Sequence, residues 1–331
     1  LIDAITAKAS GVHYLRNASV SSDFDVEYDQ RSQRITFGDN NLYLNNLRLY
    51  FEGWIESAEE QMDLDLRFSS PGTDFKEVLS LVPAVFLHDF ETVSTNGQFS
   101  LNGNVKGKYT AADENYPALD FNLNVNNGGF NYPDLPAGID NISIDLNLNK
   151  TQGGLDNLVI DLKQANAKIA ENPFSLRLLL RTPMSDPNVD MAAKGRIDLS
   201  SLGSIVPVEG VNYSGRIDAD FKIAAKQSDI DNERYEKIGA KGLIVADKLH
   251  LESDSLPLPI DLASARLELQ PQNARLSDCN LRIGNSDFQL DGFVNNITGY
   301  VFGDGILEAD VKHRSTLIDL NELSGGTTDP E

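Results

Sequence analysis

Alternation of apolar and polar residues along most of the chain is the feature that most limits how this sequence can fold. The segment 142–149 reads ISIDLNLN, so every second residue is Ile or Leu. Similar segments recur from 62–68 to the region of Phe288, separated by breaks rich in Gly, Asn and Asp. A period of two with short connections predicts an antiparallel sheet that has one apolar face and one wet face.

The pattern that begins at Asn96 recurs further along the chain. TNGQFSL at 95–101 corresponds to YSGRIDA at 213–219, and Gly97 and Gly215 are 118 residues apart. Each copy continues through a Leu-Pro element and strand-like segments to a short Leu-rich close. A repeat of this length is a supersecondary unit whose copies stack and bury a shared core.

The repeat divides the chain into four predicted regions. They are the end of a preceding β repeat over 1–95 with a short helix near 74–82, a first full β repeat over 96–212, a second β repeat over 213–323, and a disordered tail over 324–331.

Few segments have the periodicity of a helix. Asp74 followed by Glu77 has the spacing of a capping box, an apolar face follows, and Pro83 limits the helix. Similar spacing predicts short helices that begin near Leu199 and Leu317. Residues 1–10 are compatible with another short helix, and 23–28 read as a half-buried strand.

These patterns predict an all-β dominated fold. We expect a long curled antiparallel sheet built from repeated multi-strand units, with a few short helices, in a β-groove or sandwich-like arrangement. So long a sheet must curl, close or pack against something. Its apolar face is therefore either a self-packed dry core or a surface that a ligand occupies. The predicted groove-lining residues are Leu42, Leu44, Leu123, Val125, Ile144, Leu146, Leu178, Leu180, Phe221, Ile223, Leu267 and Leu269.

Composition narrows the possible partners. The formal net charge of −22 and the pI near 4.5 argue against nucleic acid and disfavour electrostatic docking on anionic headgroups. The single cysteine, Cys279, forbids an internal disulfide and reads as a small core residue. No apolar run of about 18 residues predicts a membrane-spanning helix. A start at Leu1 without Met or a signal sequence suggests an excised or processed fragment.

The motifs of common catalytic and metal sites are missing from the sequence. It contains no HExxH, no paired Cys/His spacing, no G-x-S-x-G and no Walker A. The acidic segment 229–233 offers carboxylates that could bind Ca²⁺, but it lacks the Gly and the distal Glu of an EF-hand loop. We therefore predict a protein that is not an enzyme and has no catalytic residue, no metal and no cofactor.

Several short segments carry a resemblance to a known family. They are LRLYFEGW at 47–54, LVP at 81–83, the stretch 97–109, NGGFNYPDLP at 127–136, GRIDL at 195–199, and IGNSDF at 283–288 before Gly292. Distributed over about 35–323, they resemble the AsmA-like proteins of Gram-negative bacteria, particularly versions from the Bacteroidetes. That family is similar to the repeating β-groove proteins, which carry phospholipid between membranes in long curled sheets.

The resemblance implies a function and a location. It implies a periplasmic protein whose apolar groove shields lipid acyl chains, in phospholipid transport or outer-membrane assembly. It also implies an inner-membrane anchor, in a segment outside this sequence, through which the protein would meet membranes. Partners would be phospholipid or other lipid acyl chains, and not nucleic acid. The alternative is a structural or carbohydrate- or protein-binding β-sandwich module of the cell surface, which calls for exposed aromatics on the wet face.

Overall fold

The computed structural model describes residues 2–9, 12–23, 25–45, 47–58, 60–70, 74–79, 94–131, 138–169, 171–201, 210–232, 234, 237–253, 256–270, 273–295, 297 and 306–324. Within these residues the fold is a repeated all-β sheet fold with a few short helices, so the predicted fold class is confirmed.

Eighteen strands lie in the described part of the chain. They are β1 (Ile2–Ala9), β2 (Val12–Asp23), β3 (Val26–Asp29), β4 (Arg34–Leu44), β5 (Leu47–Ala58), β6 (Gln61–Ser70), β7 (Ser94–Thr110), β8 (Ala118–Asn131), β9 (Ile139–Lys150), β10 (Leu158–Ile169), β11 (Asn172–Arg181), β12 (Asn188–Asp198), β13 (Val211–Lys226), β14 (Gly239–Ser253), β15 (Ile260–Leu269), β16 (Asn273–Ile283), β17 (Ser286–Asn295) and β18 (Glu308–Arg314).

The helical segments are short. They are α1 (Phe75–Leu79), a 3₁₀ turn (Leu155–Asn157), α2 (Gln227–Asp231) and α3 (Leu320–Leu323), and residues 199–201 are also helical. Helical residues thus begin at or near all three predicted positions. In α3, the last of these helical segments, Leu320 is 73% exposed and is therefore not buried. Leu202, Val206 and 80–93 lie outside the described residues, as do 325–331 of the predicted tail.

The chain divides into two compact units. The N-terminal unit comprises 1–168 and 177–187, and the C-terminal unit comprises 169–176 and 188–331. In the N-terminal unit, consecutive antiparallel pairs run from β4 to β9, and β9 also pairs with β10. The other edge of β4 pairs with β2 and β3, and β1 follows on β2. In the C-terminal unit, β12 to β18 pair consecutively and antiparallel.

Two predictions near the N-terminus are wrong. Residues 2–9 form a strand that pairs with β2, because ladder pairing overrides a weak helical pattern. The predicted half-buried strand at 23–28 is interrupted, since β2 ends at Asp23 and β3 begins at Val26. All four residues of β3 are exposed, so the alternation there marks no buried face.

Some structural features recur at an interval of six strands. In the described residues, helical segments follow β6, β12 and β18, and the long strands β7 and β13 come after the first two. Near their starts, Gly97 and Gly215 have φ of +97° and +104°. At both, the register with the next strand shifts by one residue, which is a β-bulge. The predicted repeat boundaries at 96 and 213 stay a prediction, since the division into two compact units does not define where a repeat begins.

Candidate lipid-binding face

Cross-strand register aligns the apolar residues of the N-terminal unit on one side of its sheet. Leu123 pairs with Leu101 of β7 and Leu146 of β9, and Val125 pairs with Phe99 and Ile144. The same side continues across β6 and β5 to β4, whose Leu42 and Leu44 pair with Leu49 and Leu47. We call this side the N-terminal apolar face. It brings together six of the twelve predicted residues.

The C-terminal unit has an equivalent side, the C-terminal apolar face. Phe221 and Ile223 of β13 pair with Gly242 and Ala240 of β14. Gly242 pairs in turn with Leu269, and Leu267 pairs with Ile244. This side brings together four more predicted residues. The last two, Leu178 and Leu180, lie in β11 and are half-buried.

Burial differs along these faces. Val125, Ile223 and Leu269 are buried, whereas the other nine of the twelve predicted residues are half-buried and none is exposed. The most deeply buried apolar residues of the N-terminal unit are Leu47, Phe99 and Val125, at 1%, 2% and 1% exposure. All three belong to the cluster that contains Phe75 of α1. Burial is thus deepest where a helix covers the sheet.

The local sequence places α1 over the N-terminal apolar face. Asp74 accepts a hydrogen bond from the backbone N–H of Lys76 at 2.9 Å and so caps the start of the helix; the predicted reciprocal bond from Glu77 stays a prediction. Phe75 then points into the cluster with Leu47 and Val125. Burial, with the nearby Asp74 carboxylate, raises the pKa of Glu77 above its ordinary value.

The C-terminal apolar face is covered at one end by α2. Ile230 and Ile238 pack with Ile223, Leu269 and several alanines. Residues 229–231 of the acidic segment lie in this helix, and Glu233 lies outside the described residues. Asp229 forms ion pairs with Arg234 and Lys237, at 2.8 and 3.7 Å. These contacts occupy the carboxylate with side chains of the same unit.

Sequence reasoning missed two kinds of residue. The first kind is the apolar partners on β5 to β7, such as Leu49, Phe68 and Leu101, which became visible only with the register, although their alternation was a usable signal.

The second kind of missed residue is Lys150, which is 5% exposed and lies in a cage of backbone oxygens. Its Nζ donates to the carbonyls of Tyr116, Pro117, Thr151 and Gly153 at 2.9–3.1 Å. Burial lowers the pKa of this ammonium.

Other chemistry is sparse in the described residues. Cys279 is buried, and desolvation raises the pKa of its thiol, which disfavours a nucleophilic role. Among the described residues, no group of three or more His, Cys, Asp or Glu side chains is arranged to hold a metal ion. No helix in that part of the chain combines the length and apolarity needed to cross a membrane.

Comparison of the chain with protein-family models, with curated proteins and with solved structures finds no match. The resemblance to AsmA-like proteins therefore stays an expectation.

Proposed function

We propose that the protein is a non-enzymatic envelope protein whose apolar faces shield lipid acyl chains, contributing to phospholipid transport or outer-membrane assembly. The observation that carries the proposal is the burial gradient. Aliphatic side chains stand in register across many strands, yet most of the predicted twelve keep partial access to solvent. In a dry core, the same residues would be buried along the whole face.

The energetics suit a lipid. Covering acyl methylenes contributes about 0.8 kcal/mol per CH₂, so a chain of ordinary length gains enough to leave a bilayer for a protein surface. The half-buried pair Leu123 and Leu146, with the neighbouring pair Phe121 and Leu148, presents adjacent apolar strips of the kind that an extended chain can follow. Headgroups would stay in water at the open side. The resemblance implies that this activity would lie in the periplasm, with a membrane anchor outside the sequence.

The first test is mass spectrometry of an organic extract of the purified chain, beside a washed control protein. We expect about one or more phospholipids per chain. Stable, folded protein without lipid would overturn the proposal in favour of a self-packed β module of the cell surface.

A variant pair sharpens this test. Leu123→Asp with Leu146→Asp places two carboxylates in the middle of the N-terminal apolar face, and we expect reduced lipid with the β circular-dichroism spectrum retained. The matched control, Ser100→Asp with Asn126→Asp, changes exposed residues on the opposite side of the same sheet. It should keep its lipid. Global unfolding of the first variant, together with no lipid in the wild type, would identify a dry core.

A further inference from the structure

The hydrophilic side of the N-terminal unit carries a groove that acyl-chain binding does not explain. Two rows of polar side chains cross the strands there in register. The first row consists of Tyr50, Ser69 and Asn102, and the second of Glu52, Arg67, Asn104 and Asp120. Because successive strand residues point to opposite sides, these rows lie on the reverse of the N-terminal apolar face. We call the space between them the polar groove.

The polar groove has the size of a ligand site. A cavity of about 800 Å³ lies along the rows, and Phe51, Phe68 and Gly103 are among the residues that line it. A second cavity of about 500 Å³ includes Trp54 and Asp65. The two share Asp39, Glu52 and Arg67, so they form one continuous depression along β5 and β6. Both volumes fall within the range of about 300–1,000 Å³ that is usual for ligand pockets.

The groove offers hydrogen-bonding groups that the fold itself does not use. The side chains of Ser69 and Asn104 make no hydrogen bond to any described residue. Asn102 uses only its Oδ1, which accepts from Asn122 at 3.4 Å, so its amide N–H groups remain available. The groove therefore presents hydroxyl and amide groups that both donate and accept, beside the Asp39 carboxylate and the Glu52 carboxylate, which lies 3.6 Å from the Arg67 guanidinium.

Two aromatic rings on the same strand border these groups. Tyr50 is 39% exposed, and Arg48 fixes its orientation by donating to the hydroxyl oxygen at 2.9 Å and covering the ring at 4.7 Å. Trp54 lies four residues further along β5 on the same side, which is about 13 Å away at the rise of an extended strand. The Arg34 guanidinium lies 4.1 Å from the Trp54 ring centre and holds that ring as well.

We propose that the polar groove binds a neutral oligosaccharide. Each sugar hydroxyl both donates and accepts, which matches the mixed amide, hydroxyl and carboxylate groups of the two rows. The apolar C–H face of a sugar ring can pack on Tyr50, whose ring combines an apolar body with a polar tip. An apolar ligand would leave these polar groups without water or partners, at a cost in free energy.

Charge selects against the other polar ligands. Three carboxylates, those of Asp39, Glu52 and Asp120, face one guanidinium, that of Arg67, so the groove carries a net charge of −2. A phosphate or sulfate ester would be repelled there, and the chain's net charge of −22 adds to that repulsion. The carboxylates are not arranged as a metal site among the described residues.

The test uses the whole chain and a panel of neutral hexasaccharides, namely those of α-1,4-glucose, β-1,4-glucose, β-1,4-mannose, β-1,4-xylose and β-1,4-N-acetylglucosamine. Binding is measured by saturation-transfer NMR and calorimetry. We expect at least one to bind, and Asn104→Ala and Tyr50→Ala to weaken it by about fivefold or more, as loss of one hydrogen bond or ring contact would. Asn126→Ala, an exposed asparagine on the same side outside the groove, should leave affinity unchanged.

Opposite results overturn the proposal. They are no binding by any hexasaccharide, equal weakening by Asn104→Ala and Asn126→Ala, or tighter binding of a sulfated hexasaccharide than of its neutral parent. Circular dichroism of each variant shows whether the fold is retained, and Asn104 makes no hydrogen bond that the fold needs. The proposal does not depend on the proposed lipid function, because the polar groove and the N-terminal apolar face lie on opposite sides of the sheet. Removing any bound lipid by washing the immobilised protein should therefore leave its sugar affinity unchanged.

Discussion

The two compact units cover the same kind of apolar face with different side chains. In the N-terminal unit one aromatic residue, Phe75 of α1, fills the space between Leu47, Phe99 and Ile142. In the C-terminal unit Ile230 and Ile238 lie on small residues that include Ala225, Ala240 and Ala274. Since interiors pack tightly, alanines let α2 approach the sheet closely, whereas the N-terminal face leaves room for a ring. The cover over the sheet therefore comes from one large side chain in the first unit and from two smaller ones in the second.

Removing Phe75 should have the largest effect. Phe75→Ala is expected to lower the free energy of unfolding of the N-terminal unit by about 3–4 kcal/mol, since it leaves a cavity in a buried cluster. Trp54 is the only tryptophan and lies in β5, which α1 contacts, so its fluorescence in urea reports this unit. Circular dichroism reports both units.

Ile230→Ala is the matched variant in the C-terminal unit. It should cost about 2–3 kcal/mol and shift the circular-dichroism transition while the Trp54 transition stays in place. If both variants move the Trp54 midpoint equally, the two units unfold as one and the comparison between them fails.

The bulge glycines offer the closest like-for-like comparison. A Cβ at Gly97 would lie 2.3 Å from the carbonyl oxygen of Asn127, and one at Gly215 would lie 2.3 Å from that of Lys248. Both glycines also have positive φ, so alanine at either position is strained. We expect Gly97→Ala and Gly215→Ala each to destabilise their own unit by about 2–3 kcal/mol.

The control for this pair is Gly154→Ala. Gly154 has φ of −62° and open space where a Cβ would stand, so its substitution should change stability by less than about 0.5 kcal/mol. Urea unfolding measures all three. Strongly unequal effects of the first two variants would contradict their equivalence as repeat positions.

The strands were predictable where one face is apolar. Period-two alternation identifies β6, β9 and β13 directly, because a half-buried strand needs one apolar side. It failed at β3, where Val26 and Tyr28 alternate with acidic residues but are exposed. Alternation indicates on which side of a strand a residue lies, but it does not indicate whether another element covers that side.

The candidate sites were only partly predictable. The aliphatic residues of both apolar faces follow from alternation, but their partners follow from register, which local sequence does not specify. The polar groove was harder to foresee, because its rows combine residues of four strands that are up to about 70 positions apart. The burial of Lys150 carries no local sequence signal, since the carbonyl groups around it come from two segments, 116–117 and 151–153.

Turns of the two units are held by different polar contacts. In the N-terminal unit Lys150 donates to four carbonyls from within the fold, whereas in the C-terminal unit Arg234 pairs with Asp229 near the surface. Lys150→Met should lower unfolding free energy by about 2 kcal/mol, because the carbonyls lose a buried donor. Arg234→Met should cost at most about 1 kcal/mol. Equal losses in urea unfolding would show that the cage is not a major source of stability.

The smallest expected effect concerns two half-buried carboxylates, one in each unit. Backbone N–H groups of Thr316 and Leu317 hydrogen-bond Asp287 at 3.0 and 2.7 Å and lower its pKa below the ordinary 3.8. The side chain and then the backbone N–H of Ser185, followed by the backbone N–H of Met184, lower the pKa of Asp156. The folded state thus binds these protons less tightly than the unfolded state. The stability that the two ionised carboxylates contribute to the fold is complete above pH 3.8. It is lost as the pH falls through their lowered folded-state pKa values.

Substitution by Asn should remove that pH dependence in one unit at a time, since an amide oxygen still accepts from N–H groups but does not titrate. Urea midpoints are compared at about pH 6 and about pH 3.5. Asp156→Asn should reduce the acid-induced shift of the Trp54 transition, and Asp287→Asn should reduce only the shift seen by circular dichroism. An unchanged acid shift in both variants would mean that other carboxylates dominate, and a shift in the wrong transition would mean that the units are coupled.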